Sequence, residues 1–292
     1  MNSIQSKTIV VTGATSGIGY ASALELAKHG FRVIGVGRSP QRCAQVEQAL
    51  RAVHSQNQAR CLVADLALQS QVRSLADAIR SQLDEWGAEG LDVLVNNAGI
   101  YSESYQRTSE GIERTLAVNH LAPFLLTLLL LPSLQQAQGA RVITVSSDSH
   151  YTTWINPNRL NKVLLYFGLW AYKQSKLANV LFTLEFNRRY GSQGLRAFAV
   201  DPGLVNTDIA HKEQRGLSSL VWKLRQRAGV AAEAPARTIL YLSGCPASEL
   251  SEDLYWYDCR PKQPSRQALD SKTARALWQA SCELCGIHDL EN

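Results

Sequence analysis

The sequence predicts an α/β fold: a doubly wound parallel sheet in three layers, formed as a single domain over residues 1–292. Three observations carry the prediction. Short runs rich in Val, Ile and Leu alternate with helical patterns, as expected of parallel strands buried on both faces. A glycine-rich turn, Thr12-Gly13-Ala14-Thr15-Ser16-Gly17-Ile18-Gly19, joins the first strand to the first helix. No internal repeat, low-complexity tract or Pro/Ser-rich linker divides the chain.

The elements follow in order. Lys7–Thr12, apolar at Ile9, Val10 and Val11, reads as a strand, and Ala21–His29 as a helix. Phe31–Val36 and Arg60–Ala64 are strands flanking a helix at Gln41–Val53. Gln71–Trp86 is a helix, Leu91–Val95 a strand, and Ser109–Leu131 a long helix. A strand at Arg141–Val145, a helix at Ala171–Tyr190 and a strand at Leu195–Val200 complete the alternation. Ala274–Cys285 reads as a C-terminal helix with Leu277, Trp278, Ser281 and Leu284 on one face.

Composition narrows the function. Apolar residues make up 45% of the chain and charged residues 19%, which suits a globular core and excludes a disordered chain. Lys and Arg number 30 against 25 Asp and Glu, a net +5 without long runs, so a nucleic-acid partner is not expected. Six cysteines are too few for a disulfide scaffold. The longest apolar stretch, Leu121–Leu131, has 11 residues and contains Pro123, whereas a membrane-spanning helix needs ~20. No signal-like segment precedes Lys7, and the expectation is a soluble, cytoplasmic protein of a reducing compartment.

Several segments carry chemistry. The glycines Gly13-x3-Gly17-x-Gly19 permit a tight turn and close backbone approach, and the helix that follows offers free N–H groups to a pyrophosphate. A dinucleotide is therefore expected against Gly13, Ser16, Gly17, Ile18 and Gly19. The second strand ends Val36-Gly37-Arg38-Ser39, without the acid that would bind a ribose 2′-hydroxyl. Arg38 can instead take a 2′-phosphate in a forked contact with Ser39 assisting, which favours NADP(H) over NAD. Asp65-Leu66 sits where the adenine should lie, although an Asp after a strand also serves as a helix cap. Asn96-Asn97-Ala98-Gly99 lets backbone approach a cofactor, and its amides can equally stitch strands together.

Tyr172-Lys173-Gln174-Ser175-Lys176 places a phenol and an ammonium at i and i+4, on one helix face. A free phenol with pKa ~10 is about 0.1% ionised at neutral pH and is a poor base. A cation at ~4 Å, at an effective dielectric of ~20, contributes up to ~4 kcal/mol or roughly 3 pH units, enough to make Tyr172 a usable acid/base. Ser147, at the end of the fifth strand, offers a hydroxyl to a carbonyl. Asn119 can hold a water against its own helix.

These motifs, together with Pro202-Gly203, resemble in order and register those of the short-chain dehydrogenase/reductase family, almost end to end. Within it the chain is most similar to the retinol dehydrogenase-like and WW-domain oxidoreductase-like group. Asn119-His120-Leu121-Ala122-Pro123-Phe124-Leu125-Leu126-Thr127, Ser175-Lys176-Leu177-Ala178-Asn179, Asp258-Cys259 and Leu277–Leu284 carry that similarity. One departure stands out: Asp201 precedes Pro202-Gly203 where that group usually has His.

The resemblance implies a Rossmann-like fold, NADP(H), and a catalytic set of Asn119, Ser147, Tyr172 and Lys176. Tyr172 would protonate an alkoxide, Ser147 donate to it, Lys176 bind the nicotinamide ribose, and Asn119 position a relay water. Asn97, Ala98, Gly99, Pro202, Gly203, Val205 and Thr207 would line the cofactor, with Thr207 anchoring the carboxamide. It also implies a small lipophilic carbonyl or alcohol substrate, a homodimer or a tetramer, a substrate lid around 204–230 and a C-terminal extension around 255–292.

Within that lid Leu217–Val230 is amphipathic and basic, and a lid, core packing and a peripheral membrane contact all remain open. Cys282-x-x-Cys285 with His288 lacks a second ligand pair, so no metal is expected. Two other function classes compete with the oxidoreductase. A sugar-nucleotide epimerase or dehydratase would have a differently spaced glycine turn and a larger C-terminal region. A non-catalytic NADP-binding regulator or scaffold would usually lack the tyrosine.

Overall fold

The computed structural model describes residues 7–53, 58–162, 165–203 and 232–288. Six parallel strands form as expected: β1 Thr8–Thr12, β2 Arg32–Gly37, β3 Ala59–Val63, β4 Val93–Asn96, β5 Arg141–Val145 and β6 Arg196–Val200. Two further strands complete the sheet. These are β7 Tyr255–Tyr257, parallel to β6, and β8 Arg260–Pro261, antiparallel to β7. The order is β3-β2-β1-β4-β5-β6-β7-β8, so the winding reverses between β1 and β4.

Helices α1 Gly17–Lys28, α2 Pro40–Ala52 and α8 Glu233–Gly244 cover one face. The other face carries α3 Gln69–Glu85, α5 Ala122–Leu129, α7 Gly168–Tyr190 and α9 Ser271–Cys285. Two shorter helices, α4 Arg114–Leu116 and α6 Leu131–Gln136, flank α5. Alternation within the strands explains the three layers: Ile9 and Val11 pack under α1 and α2, and Val10 packs with the opposite cluster. Every residue of β1, β4 and β5 is buried, which is why their centres read as apolar runs on both faces. The fold is a Rossmann-like three-layer α/β/α sandwich.

The expected long helix at 109–131 is corrected. Residues 109–113 are not helical; the Glu113 carboxylate accepts from the N–H groups of Thr115 and Leu116 and caps a helix that starts at Arg114. Ala117–Leu121, which contains Asn119, is a π-helical turn. Pro123 has no N–H to return to the Asn119 carbonyl, and the wider turn accommodates that gap.

Within the C-terminal extension expected around 255–292, β7 lies in the sheet with Tyr255 fully buried. Asp258 and Cys259, with φ of 47° and 58°, form the two-residue turn between β7 and β8. In α9, Trp278 stacks on Phe182 at 5.9 Å, and Cys282 and Cys285 are buried with it. Burial pushes the Cys285 thiol up to about 12, and no group of potential metal ligands gathers among the described residues. The described residues include no helix long and apolar enough to cross a membrane. The segment expected to form a lid, with Val205 and Thr207, lies outside the described residues.

Candidate active site

A cavity of about 630 Å³ opens at the carboxyl ends of β1 and β4, where the winding of the sheet reverses. That is where α/β sheets of this topology bind ligands, and the volume falls in the ordinary range for small-molecule sites. Its lining brings together Gly13, Ser16, Gly17 and Ile18 from the first turn and Arg38 and Ser39 from the end of β2. Asp65 and Leu66 follow β3, Asn97, Ala98 and Gly99 follow β4, and Tyr172, Lys176 and Pro202 close the far end.

At the first turn the N-cap Ser16 makes no side-chain capping bond and α1 has no acidic residue in its first turn, so its positive end meets the cavity unopposed. Gly19 does not line the cavity. A Cβ there would lie 2.3 Å from the Gly13 carbonyl oxygen and 2.4 Å from Asn97 Nδ2. The glycine is therefore required for the first turn to sit against the β4 turn. Asn97 donates through Nδ2 to the Thr12 carbonyl at 2.8 Å, and the N–H groups of Asn97 and Ala98 both reach Thr12 Oγ1. The amide thus stitches β1 to β4.

At the opposite wall Ser39 caps α2 by accepting from the Arg42 N–H at 3.4 Å. A hydroxyl that accepts can still donate. Arg38 is exposed at the cavity rim, and Arg42 joins it there. Sequence reasoning missed Arg42, though its position in the first turn of a helix capped by Ser39 was a readable signal. It also missed Thr15, Tyr101, Arg114, Val118 and Ser146, whose approach depends on how loops pack. Asp65 Oδ1 accepts from the Ala67 N–H at 3.0 Å in a local turn; it does not cap α3, whose N-cap is Leu68 without a side-chain bond.

At the far end Lys176 is 4% exposed and its ammonium donates to the Val145 carbonyl at 3.1 Å. Burial drags its pKa down to about 8. The ammonium lies 5.5 Å from the centre of the Tyr172 ring, which is half-buried and meets Tyr101 edge-on at 6.1 Å. Asn119 and Ser147 do not line the cavity. Asn119 is fully buried, exchanges hydrogen bonds with the Ile100 N–H and C=O, and donates to Ser175 Oγ at 3.0 Å. It ties the π-helical turn to α7 and to the loop after β4. Ser147 Oγ accepts from the Ser149 N–H and lies 3.2 Å from Asp148 Oδ1, while its neighbour Ser146 lines the cavity.

The short chain dehydrogenase family model matches residues 7–218, well over half of the sequence. The chain is a short-chain dehydrogenase. Human retinol dehydrogenase 12 is 35% identical over 281 residues, covering 96% of this chain and 87% of that protein. Human polyprenol dehydrogenase is 33% identical over 97% of this chain and 86% of its own length. Among solved structures, a short chain dehydrogenase from Burkholderia cenocepacia J2315 in complex with NADP has a TM-score of 0.68 at 25% identity, covering 88% of this chain and 98% of that one. The landomycin C-6 ketoreductase LanV, with bound NADP and rabelomycin, has a TM-score of 0.67 at 27% identity, covering 86% and 94%. This short-chain dehydrogenase is an NADP(H)-dependent oxidoreductase acting on CH–OH or carbonyl groups.

Proposed function

We propose that the enzyme interconverts a lipophilic alcohol and its carbonyl compound, with Tyr172 as the acid/base. The observation that carries this reading is the half-buried Tyr172 phenol beside a buried ammonium at one end of a cavity whose other end presents two guanidinium groups. The residues suit the cofactor: the Gly13–Gly19 turn and the open end of α1 would hold its pyrophosphate, and Arg38 and Arg42 its 2′-phosphate. Lys176 would meet the nicotinamide ribose. When bound, NADPH supplies a hydride to the carbonyl carbon.

In reduction, Tyr172 gives its proton to the carbonyl oxygen as negative charge develops there. Lys176 stabilises the tyrosinate left behind. Ser147 donates a second hydrogen bond to the oxygen, which requires its hydroxyl to turn from Asp148. Asn119 acts by holding α7 and the π-helical turn in register, and its relay water belongs at that turn.

The lipophilic substrate class is supported by the segment leading into Tyr172. Trp154, Phe167, Leu169 and Trp170 are exposed large apolar side chains there. Relatives named for retinol and polyprenol point the same way. NADPH oxidation should be faster with all-trans-retinal, decanal or a steroid ketone than with glyceraldehyde, and the reverse ranking would refute the substrate class. Tyr172→Phe should fold, bind NADPH and lose at least ~10²-fold in kcat. Near-normal turnover in that variant would refute the mechanism.

A further inference from the structure

β6 ends at Val200 and the chain turns through Asp201-Pro202-Gly203, whose middle residue lines the cavity. Asp201 is 2% exposed, and both its oxygens are engaged. Oδ1 accepts from the Gly203 N–H at 3.0 Å, and Oδ2 from the Lys262 ammonium at 2.6 Å. Lys262, just past β8, lies 5.1, 5.5 and 6.0 Å from the ring centres of Tyr257, Tyr151 and Tyr255, within reach of a cation–π attraction. Tyr257 also covers the turn, since a Cβ on Gly203 would come within 3.0 Å of its Cε2.

Two of these tyrosines also brace the Ser147 segment. His150 is fully buried, with Nδ1 at 2.7 Å from the Ser147 carbonyl oxygen and Nε2 at 3.1 Å from the Ser265 N–H. Nδ1 must donate and Nε2 must accept, so these partners select the neutral imidazole with its proton on Nδ1. The His150 ring lies 4.2 Å from Tyr151 and 4.9 Å from Tyr255. Tyr151 in turn donates to the Gln263 carbonyl, next to Lys262. One cluster therefore joins the Ser147 segment, the β7–β8 hairpin and the Asp201-Pro202-Gly203 turn.

An ion pair such as this, with Asp201 buried and the Lys262 side chain 35% exposed, is weak evidence for net stability, because desolvation of the carboxylate offsets much of the Coulombic gain. Breaking one partner, however, strands a charge and forces the surrounding backbone to move. We infer that the Asp201–Lys262 pair is a positioning device for the nicotinamide end of the site, fixing the Pro202-Gly203 turn relative to the Ser147 segment. The inference rests on the proposed chemistry, since it assigns the nicotinamide to the Tyr172 end of the cavity.

The test uses Lys262→Met, Lys262→Arg, Asp201→Asn and the double variant Asp201→Asn/Lys262→Met. Three readouts are compared: NADPH affinity by its own fluorescence, 2′,5′-ADP affinity by calorimetry, and kcat with decanal or whichever panel carbonyl is turned over fastest. Lys262→Met should weaken NADPH binding and lower kcat, each by at least about tenfold, modest beside the ~10²-fold that a 1 Å misplacement can cost. Its 2′,5′-ADP affinity should be unchanged, because that probe occupies only the Arg38 end. Lys262→Arg should recover most of the loss, and the double variant should lose no more than the worse single one.

If Lys262→Met fails to fold, Asp201→Asn carries the test, because it keeps an acceptor for Gly203 and removes only the charge. Unchanged NADPH affinity and kcat in a folded single variant would overturn the inference, as would a parallel loss of 2′,5′-ADP affinity. Tyr172→Phe separates the two claims. If it is inactive while Lys262→Met is normal, only the positioning role fails; if it is active, the underlying chemistry fails.

Discussion

Lys176→Met should make the cofactor-free protein more stable at pH 7 while removing its activity. Methionine is one atom shorter than lysine, equally unbranched but uncharged, so the change reports chiefly the cost of an ammonium that is 4% exposed and bonded to the Val145 carbonyl. Burial lowers its pKa from 10.5 to about 8. At about 1.36 kcal/mol per pH unit this corresponds to roughly 3 kcal/mol held against the charged form at neutral pH. Losing the hydrogen bond to Val145 returns about 1 kcal/mol, leaving a net gain of about 2 kcal/mol. For a domain of this size that is a rise in Tm of ~5 °C, measurable by thermal denaturation.

The pH dependence provides an internal control. The folded value lies below the unfolded one, so between about pH 8 and 10.5 the unfolded chain holds the extra proton. Native stability of the unmutated protein therefore rises through that window relative to the variant. The advantage of methionine should be full below pH 8 and shrink toward pH 10.5. A variant less stable than the parent at pH 7, or a gap that does not change with pH, would refute the reasoning.

NADPH should bind at least ~10-fold more tightly than NADH by calorimetry, and Arg38→Ala with Arg42→Ala should erase most of that preference; equal affinities in the unmutated protein would count against the assignment. Gly19→Ala must displace the Gly13 carbonyl or the Asn97 side chain, so it should cost ~1–3 kcal/mol in urea denaturation and abolish NADPH binding. Burial holds the pKa of His120 down to about 4 from 6.5, and the unfolded chain therefore takes up its proton first as the pH falls through that window. Stability should drop by up to ~3 kcal/mol between pH 7 and 4, and His120→Gln should flatten that limb of the urea midpoint against pH.

The sequence by itself determined the sheet as far as β6 and most of the cavity lining. Strands buried on both faces are apolar at their centres, as Ile9, Val33, Leu94 and Ile143 are. The tight approach of the first turn to Asn97 admits only glycine at position 19. Those constraints are local and leave a pattern in the chain. Tertiary structure decided what depends on distant partners. β7 has three residues and no periodicity to detect, and it is a strand because β6 offers it a free edge. The π-helical turn around Asn119 arises where a helix capped at Glu113 meets Pro123. The pairing of Asp201 with Lys262 spans 61 positions, a distance at which neither residue leaves a local signature. Its energetics depend on the burial of Asp201 in the folded sheet and on the three tyrosines around the partly exposed Lys262.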